Sequence, residues 1–301
     1  MLTHGGAIIN RGKVGHSGQM EQRSVLVTGA SSGIGQAVAL RLARGPWEVF
    51  AGVRKPADGE RLAQAGGPRL HPVTLDITDE ASISAAAAAV SDAVGAAGLS
   101  ALVNNAGVAV RGPVEYLPLD EWRRQFEVNV IGQVAMTKAA LPLLRRSPQG
   151  RVVFMGSLGG RVSGPLWGPY ASSKHAIEAI AESLRHELRP AGIKVSVVEP
   201  GAVKTPIWDK AGRTADDLEA SLPEEGRRQY ADQIAAARRG MVNSNRTGVS
   251  PEEVAEVVEK ALTGERPLAR YLVGRGAQVM GVASRVLPDS LRDALVRKAS
   301  E

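Results

Sequence analysis

Tyr170 and Lys174 stand four residues apart in Pro169-Tyr170-Ala171-Ser172-Ser173-Lys174, the spacing that puts two side chains on one face of a helix. A phenol titrates near pH 10, too high for an efficient base at neutral pH, and a neighbouring ammonium lowers that value by stabilising the phenolate. The pair is therefore a candidate general acid/base. Thirteen residues before Tyr170, Ser157 follows the apolar run Arg151 to Met155, which reads as a strand. Its hydroxyl would be carried to a sheet edge, where it could hydrogen-bond a reacting oxygen. Alone, a tyrosine and a lysine at this spacing also describe an ordinary exposed helix face, so their meaning depends on what surrounds them.

A second constellation lies near the start of the chain. The apolar run Ser24 to Thr28 leads into Gly29-Ala30-Ser31-Ser32-Gly33-Ile34-Gly35 and then into the amphipathic pattern Gln36 to Leu42. Strand, glycine turn and helix in that order suit a phosphate-bearing ligand. Gly29 permits a tight turn, Gly33 lets backbone approach a pyrophosphate, Gly35 allows close helix packing, and the helix start offers free N–H groups to an anion. The competing reading is a glycine-rich turn with no ligand.

Composition removes several other chemistries. With no cysteine there is no disulfide, thiolate nucleophile or cysteine metal site, and the five histidines (His4, His16, His71, His175, His186) form no HxxxH or HExxH pair. No metal is expected, and redox chemistry would have to come from a cofactor. The formal charge of +6 is spread along the chain, and aromatic residues make up only 4%, which argues against nucleic acid as a partner. No run of about 18 apolar residues occurs, and residues 1–18 lack an apolar core and a cleavage site, so neither a membrane span nor secretion is expected and a cytoplasmic location is.

The elements that must position these residues follow a βαβ rhythm. Strands are predicted near 24–28, 48–53, 70–75, 100–103, 151–156, 193–198 and 270–273, and helices near 34–44, 80–97, 120–145, 169–189 and 251–263. This α/β pattern predicts one doubly wound parallel sheet with helices on both faces. Residues 1–22 are expected to be a disordered extension, with Met20 an alternative start, and residues 23–301 to form a single catalytic domain. Two segments fall outside the rhythm. Residues 205–248 are too long for a link and read as a substrate lid, with Ile207, Trp208, Leu218, Leu222 and Tyr230 as its apolar contacts. The tail, 276–301, alternates apolar and charged residues, so it would pack on its own domain or associate weakly with a membrane surface or partner.

The spacing GxxxGxG in Thr28 to Gly35, with Asn104-Asn105-Ala106-Gly107 after the fourth strand and the Tyr170/Lys174 pair, resembles the short-chain dehydrogenase/reductase family over about Ser24 to Thr205. The resemblance implies a Rossmann-type fold and a catalytic set of Asn129, Ser157, Tyr170 and Lys174. In that set Asn129 supports a water linking Lys174 to solvent, and Lys174 also orients the nicotinamide ribose. It further implies cofactor binding by Gly29, Ser31, Ser32, Gly33, Ile34 and Gly35 at the phosphates. Asp76 and Ile77 would meet the adenine, Asn105, Ala106 and Gly107 the adenosine side, and Pro200, Gly201, Val203 and Thr205 the carboxamide.

Val53 occupies the place where NAD-selective members carry an acid, and Arg54 follows it, so the resemblance favours NADP(H), with Arg54 on the 2′-phosphate. Arg54 and Lys55 could instead only solvate a loop. The implied reaction is interconversion of a ketone and a secondary alcohol. The segments Ala51 to Pro56 and Leu287-Pro288-Asp289 are similar to the hydroxysteroid and retinol dehydrogenase branch, which suggests a lipophilic substrate. A homodimer or homotetramer through 120–145 and 169–189 is implied as well. Two further readings stay open: a non-catalytic NADP(H)-sensing protein, and an extended-family epimerase or dehydratase, which the glycine spacing disfavours.

Overall fold

The computed structural model describes residues 23–205, 216, 219–220 and 222–300. Seven parallel strands form one sheet: β1 (Arg23–Val27), β2 (Trp47–Val53), β3 (Leu70–Thr74), β4 (Ala101–Asn104), β5 (Arg151–Met155), β6 (Lys194–Pro200) and β7 (Arg270–Val273). Their spatial order is β3-β2-β1-β4-β5-β6-β7. The chain thus works outward from β1 to β3 and then crosses back to β4 on the other side of β1. The crevice between β1 and β4 is the switch point at which open sheets of this kind bind ligands. β3 is an edge strand and tolerates Pro72, whose missing N–H would break a central ladder.

The strands are apolar on both faces because helices cover both. Val25, Val27, Val49, Ala101, Val103 and Val153 face α1 (Gly33–Ala43) and α9 (Pro251–Thr263) through Val38, Leu42, Val254, Val258 and Leu262. Leu26, Phe50, Leu102, Val152, Phe154 and Val197 face the other way, onto α3 (Glu80–Val94), α5 (Gly132–Leu144) and α6 (Gly168–Glu187), through Ile83, Val90, Met136, Leu144 and Ile177. Register keeps like with like, since Leu26 pairs with Phe50 and Leu102, and Leu102 with Val152. Each fully buried aliphatic or aromatic side chain contributes about 1.5–3 kcal/mol, so these two layers dominate the stability.

All seven strands and all five helical regions expected from the sequence are present, with differences of physical interest. The region 120–145 is not one regular helix: α4 (Leu119–Phe126) passes through a π-helical turn, Glu127–Ile131, before α5. α2 (Pro56–Gly66) was not anticipated, because only Gly59 and Leu62 are buried and its apolar signal is correspondingly faint. The described part of the expected lid is helical, α7 (Glu224–Gln229) and α8 (Ala231–Thr247), and its base is closed where Val203 bridges Val249. The tail forms α10 (Arg275–Val286) and α11 (Asp289–Ser300). The expected extension 1–22 and the lid contacts Ile207, Trp208 and Leu218 lie outside the described residues. No described helix is long and apolar enough to cross a membrane.

The carboxyl ends of β1 and β4 are joined by Thr28. Its buried Oγ1 accepts the N–H groups of Asn105 (3.0 Å) and Ala106 (2.9 Å) and donates to the Val103 carbonyl (3.4 Å). Thr28→Val keeps the shape but leaves two amides without an acceptor. It is expected to cost about 2 kcal/mol or more in a urea unfolding titration, whereas Thr28→Ser should recover most of that; a Thr28→Val loss below about 1 kcal/mol would contradict the role.

Candidate active site

A cleft of about 510 Å3 runs along the carboxyl edge of the sheet. Every residue that the resemblance assigned to catalysis or cofactor binding lines it: Gly29, Ser31, Ser32, Gly33, Ile34 and Gly35 after β1; Arg54 after β2; Asp76 and Ile77 after β3; Asn105, Ala106 and Gly107 after β4; Asn129; Ser157 after β5; Tyr170 and Lys174 on α6; and Pro200, Gly201, Val203 and Thr205 at the end of β6.

At one end the β1–α1 turn is built for an anion. Gly29 and Gly33 have φ of +66° and +59°, conformations that side chains disfavour. A Cβ on Gly29 would stand 2.8 Å from the Ala106 Cα, and one on Gly35 would overlap the Gly29 carbonyl oxygen and the Asn105 amide. Asn105 Nδ2 locks the turn by donating to the carbonyls of Thr28 (2.9 Å) and Gly29 (3.1 Å). Ser32, at the N-cap of α1, makes no side-chain capping bond, and the first turn holds no acidic residue. The helix start therefore presents uncapped N–H groups, an arrangement that fits a pyrophosphate.

Further along, Val53 is buried at the end of β2 and Arg54 is exposed at the rim. Asp76 Oδ1 accepts the Thr78 N–H (3.0 Å) and hydroxyl (2.7 Å), bonds that hold its carboxyl below the ordinary range, with Arg54 adding to the effect. The cap of α3 is Asp79, whose Oδ1 accepts the Ala81 N–H at 3.0 Å, so Asp76 has no capping duty.

At the other end Tyr170 and Lys174 share a face of α6, and Lys174 Nζ lies 5.8 Å from the Tyr170 ring centroid. Ser157 Oγ accepts the Gly159 N–H at 3.0 Å and lies in hydrogen-bond contact with the Tyr170 hydroxyl. The expectation that Lys174 lowers the phenol's pKa is corrected here. Burial pushes Tyr170 up, the Ser157 hydrogen bond alone opposes it, and the ammonium instead donates to the Met155 carbonyl at 2.7 Å. Burial also pulls Lys174 itself down to about 8, against an opposing pull from Glu178.

Asn129 sits in the π-helical turn, but its side chain is fully committed. Oδ1 accepts the Val108 N–H (2.8 Å), and Nδ2 donates to the Val108 carbonyl (3.0 Å) and to Ser173 Oγ (3.2 Å). The amide thus positions the Val108 strand-end loop and α6, and a water relay at this point would have to use its backbone. Gln125 works beside it, accepting from Val110 N (2.7 Å) and donating to the Val108 carbonyl (3.0 Å) and Ser173 Oγ (3.3 Å). Ser173 in turn donates to the Tyr170 carbonyl at 2.7 Å.

Gln125 and Ser173 escaped the sequence reading because a polar residue on a helix normally faces water. A second missed group lies behind Lys174. Glu199 is fully buried within β6 and accepts both arms of Arg161, at 2.8 and 2.7 Å, while Glu178 accepts Arg270 Nε at 2.7 Å. A glutamate inside the apolar run Val195 to Pro200 was the available signal.

The chain belongs to the short-chain dehydrogenase family, whose model matches residues 23–216. Relatives extend the match over nearly the whole length. The NADPH-dependent 3-dehydrocapnine reductase of Ornithobacterium rhinotracheale is 36% identical over 281 residues, 92% of this chain and 96% of that protein. Mouse retinol dehydrogenase 5 is 36% identical over 90% of this chain and 87% of its own. A short-chain dehydrogenase from Streptomyces avermitilis superposes with a TM-score of 0.75 at 31% identity, covering 91% of this chain and 96% of that one. The protein is accordingly an NAD(P)-dependent oxidoreductase of this family.

Burial, with a further push from Glu178, drives the Glu199 carboxyl up to about 7, while Arg161 opposes. The folded state then holds this proton more tightly than the unfolded chain, so the stabilisation it confers is complete below about pH 4.5 and lost as pH rises through about 7. Glu199→Gln, which imitates the protonated form, should gain in melting temperature relative to the wild type as pH goes from 5 to 8. A difference that stays flat over that range would refute the assignment.

Proposed function

We propose that the protein is an NADP(H)-dependent oxidoreductase interconverting a ketone and a secondary alcohol, with Tyr170 as the group that exchanges the oxygen's proton. The observation that carries this reading is the single cleft that joins an uncapped glycine turn at one end to Ser157, Tyr170 and Lys174 at the other. When bound, the nicotinamide supplies or accepts the hydride. Ser157 donates a hydrogen bond to the substrate oxygen, keeping its own proton, and fixes that oxygen's distance from the phenol. Tyr170 Oη gives that oxygen its proton in reduction and takes it back in oxidation. Lys174 stays mostly protonated at neutral pH and, anchored on the Met155 carbonyl, is held on the same helix face as the phenol, where it would orient the nicotinamide ribose. Asn129, Gln125 and Ser173 hold α6 against the Val108 loop, so the phenol is placed before substrate arrives.

Preference for NADP(H) rests on Arg54 at the rim beside Val53, where no carboxylate follows β2 to repel a 2′-phosphate, and is supported by the NADPH-dependent relative. A lipophilic substrate is supported by the relationship to retinol dehydrogenase 5; Leu222 and Tyr230, the described members of the lid set, do not line the cleft, Leu222 being buried and Tyr230 donating to Glu115. The same reading includes a single catalytic domain, a cytoplasmic setting and self-association as a homodimer or homotetramer. Leu117, Leu143 and Leu144 are buried in the chain's own core and are not available for such an interface, whereas Leu119 and Ile131 are exposed. The tail exposes Val279, Val282 and Val286, the residues through which weak peripheral association would act.

Tyr170→Phe should leave NADPH affinity within about twofold and lower kcat by about 100-fold or more, read by NADPH absorbance with steroid, retinoid, aromatic and short-chain ketones. Near-normal turnover in this variant would refute the assignment, and tight NADPH binding with no carbonyl turned over would leave a binding protein. Arg54→Asp should reverse the cofactor preference. A wild type that prefers NAD(H) and is indifferent to this change would overturn the NADP(H) reading.

A further inference from the structure

The edge of the sheet opposite the cleft, where the strands begin, holds a recess of about 180 Å3. Three arginines line it from separate elements: Arg23 at the start of β1, Arg151 at the start of β5 and Arg146 just after α5. No aspartate or glutamate is among the described residues that line it. The arginines have no carboxylate partner elsewhere among the described residues either. Arg146 Nη2 donates to Ser91 Oγ at 3.1 Å, Arg151 Nη1 to the Ala261 carbonyl at a long 3.5 Å, and the Arg23 guanidinium lies 5.8 Å from the Trp47 ring centroid. Arg146 is held in place, because a Cβ on Gly98 would stand only 2.7 Å from its own Cβ.

Arg151 is 7% exposed, and both burial and the Arg23 charge work against its ionisation. Arginine keeps its proton at neutral pH, so the crowding is not relieved by titration. The carbonyl ends of α5 and α9 border the recess through Ser147 and Leu262, and helix ends attract arginines. Each end is worth only about half an elementary charge, roughly one in all against three. Trp47, at the start of β2, gives an independent sign. Its indole lines the same recess and is 2% exposed, and Nε1, which can only donate, is buried with no acceptor among the described residues. Converging cations and an idle buried donor around one opening are costly unless an acceptor of more than one negative charge fills it.

We propose that this recess is a binding site for a phosphate dianion, either the free ion or the phosphate of a monoester. Donors standing on β1, β2, β5 and the turn after α5 match the oxygens of a tetrahedral ion better than the two coplanar oxygens of a carboxylate. At about 30 Å3 per water, the recess has room for roughly six waters, enough for a phosphate group with no movement of the chain. Arg146 is exposed at the rim, where the remainder of a monoester would emerge. The recess and the cleft lie at opposite ends of the strands, so the anion and a nicotinamide nucleotide bind together. The site is independent of the ketone/alcohol chemistry.

The test uses the full chain, labelled with nitrogen-15 and saturated with NADPH so that the glycine turn is filled. The indole N–H resonance of Trp47, assigned by replacing each tryptophan in turn with phenylalanine, is followed as phosphate is added at constant ionic strength. It should move saturably with a Kd of about 1 mM or below, sulfate should act likewise, and acetate and chloride should leave it in place. Arg146→Gln and Arg23→Gln should each weaken phosphate binding about tenfold while NADPH affinity stays within about twofold. Ribose 5-phosphate binding more tightly than inorganic phosphate would mark the occupant as a monoester, and weaker binding would mark it as the free ion.

No saturable shift below about 50 mM phosphate, an equal shift with acetate or chloride, or an affinity indifferent to both arginines would overturn the proposal. So would phosphate binding that appears only in Glu21→Gln, since the chain itself would then supply the charge. The wild-type comparison of the four anions decides the matter even if a variant fails to fold.

Discussion

The carboxyl edges of β1 and β4 must lie close enough for two turns to meet a single ligand, and one hydroxyl imposes that proximity. Thr28 Oγ1 collects the amides of Asn105 and Ala106, so the turn after β4 is hung from the last residue before the glycine loop. Asn105 returns the contact by donating to Thr28 and Gly29, and the lack of a side chain at Gly29 and Gly35 is what lets the two loops interlock. Removing water from this junction makes each bond stronger and each unpaired group costlier, so the arrangement tolerates few alternatives. The rest of the cleft is arranged around that fixed corner.

A layer of buried amides and hydroxyls extends the same logic beneath Tyr170 and Lys174. Gln125, Asn129 and Ser173 are all fully buried, and between them they satisfy the backbone of Val108 and Val110 and the carbonyl of Tyr170. Asn104 donates to Thr137, and Gln133 to the Ala106 carbonyl, on the neighbouring side. Such a network makes α4, the π-turn, α6 and the loop after β4 move as one body, because shifting any member strands several polar groups in a low dielectric. The π-turn is what aims Asn129 inward, since an extra residue per turn rotates the helix face there.

Much of this was legible in the sequence, for reasons specific to particular residues. Strands such as Val25 to Val27 and Val152 to Phe154 are apolar on both faces, as central strands must be, and the glycine turn, Ser157, Tyr170 and Lys174 come together in one cleft, as their spacing suggested. The supporting layer was not legible. Gln125 reads as a surface residue until the loop from Val108 to Val110 is folded over it, a contact between elements that periodicity within one helix does not encode. α2 was hidden because a helix with only Gly59 and Leu62 buried has hardly any apolar stripe, and its start at Pro56 and stop at Gly67, with φ of +74°, are the only marks it leaves. The Tyr170 pKa went the other way from expectation because helix spacing gives proximity to Lys174 but not the burial that opposes it.

The cleft is lined by charges of both signs, Asp76 and Glu127 as well as Arg54, Arg124 and Lys174. Three carboxylates near it are already engaged: Asp76 by Thr78, Glu199 by Arg161, Glu178 by Arg270. The positive groups are engaged less completely. The first turn of α1 lacks an acid and a side-chain cap, Arg54 stands at the rim, and Lys174 donates to a carbonyl rather than a carboxylate. A protein fold gains nothing from leaving cations in that condition, because desolvation is suffered whether or not an anion arrives. The uncapped helix start finds its compensating charge in a bound phosphate group, which would enter at the glycine turn. The formal charge of +6, which argued poorly for nucleic acid, acquires in this way a local meaning for small anionic ligands.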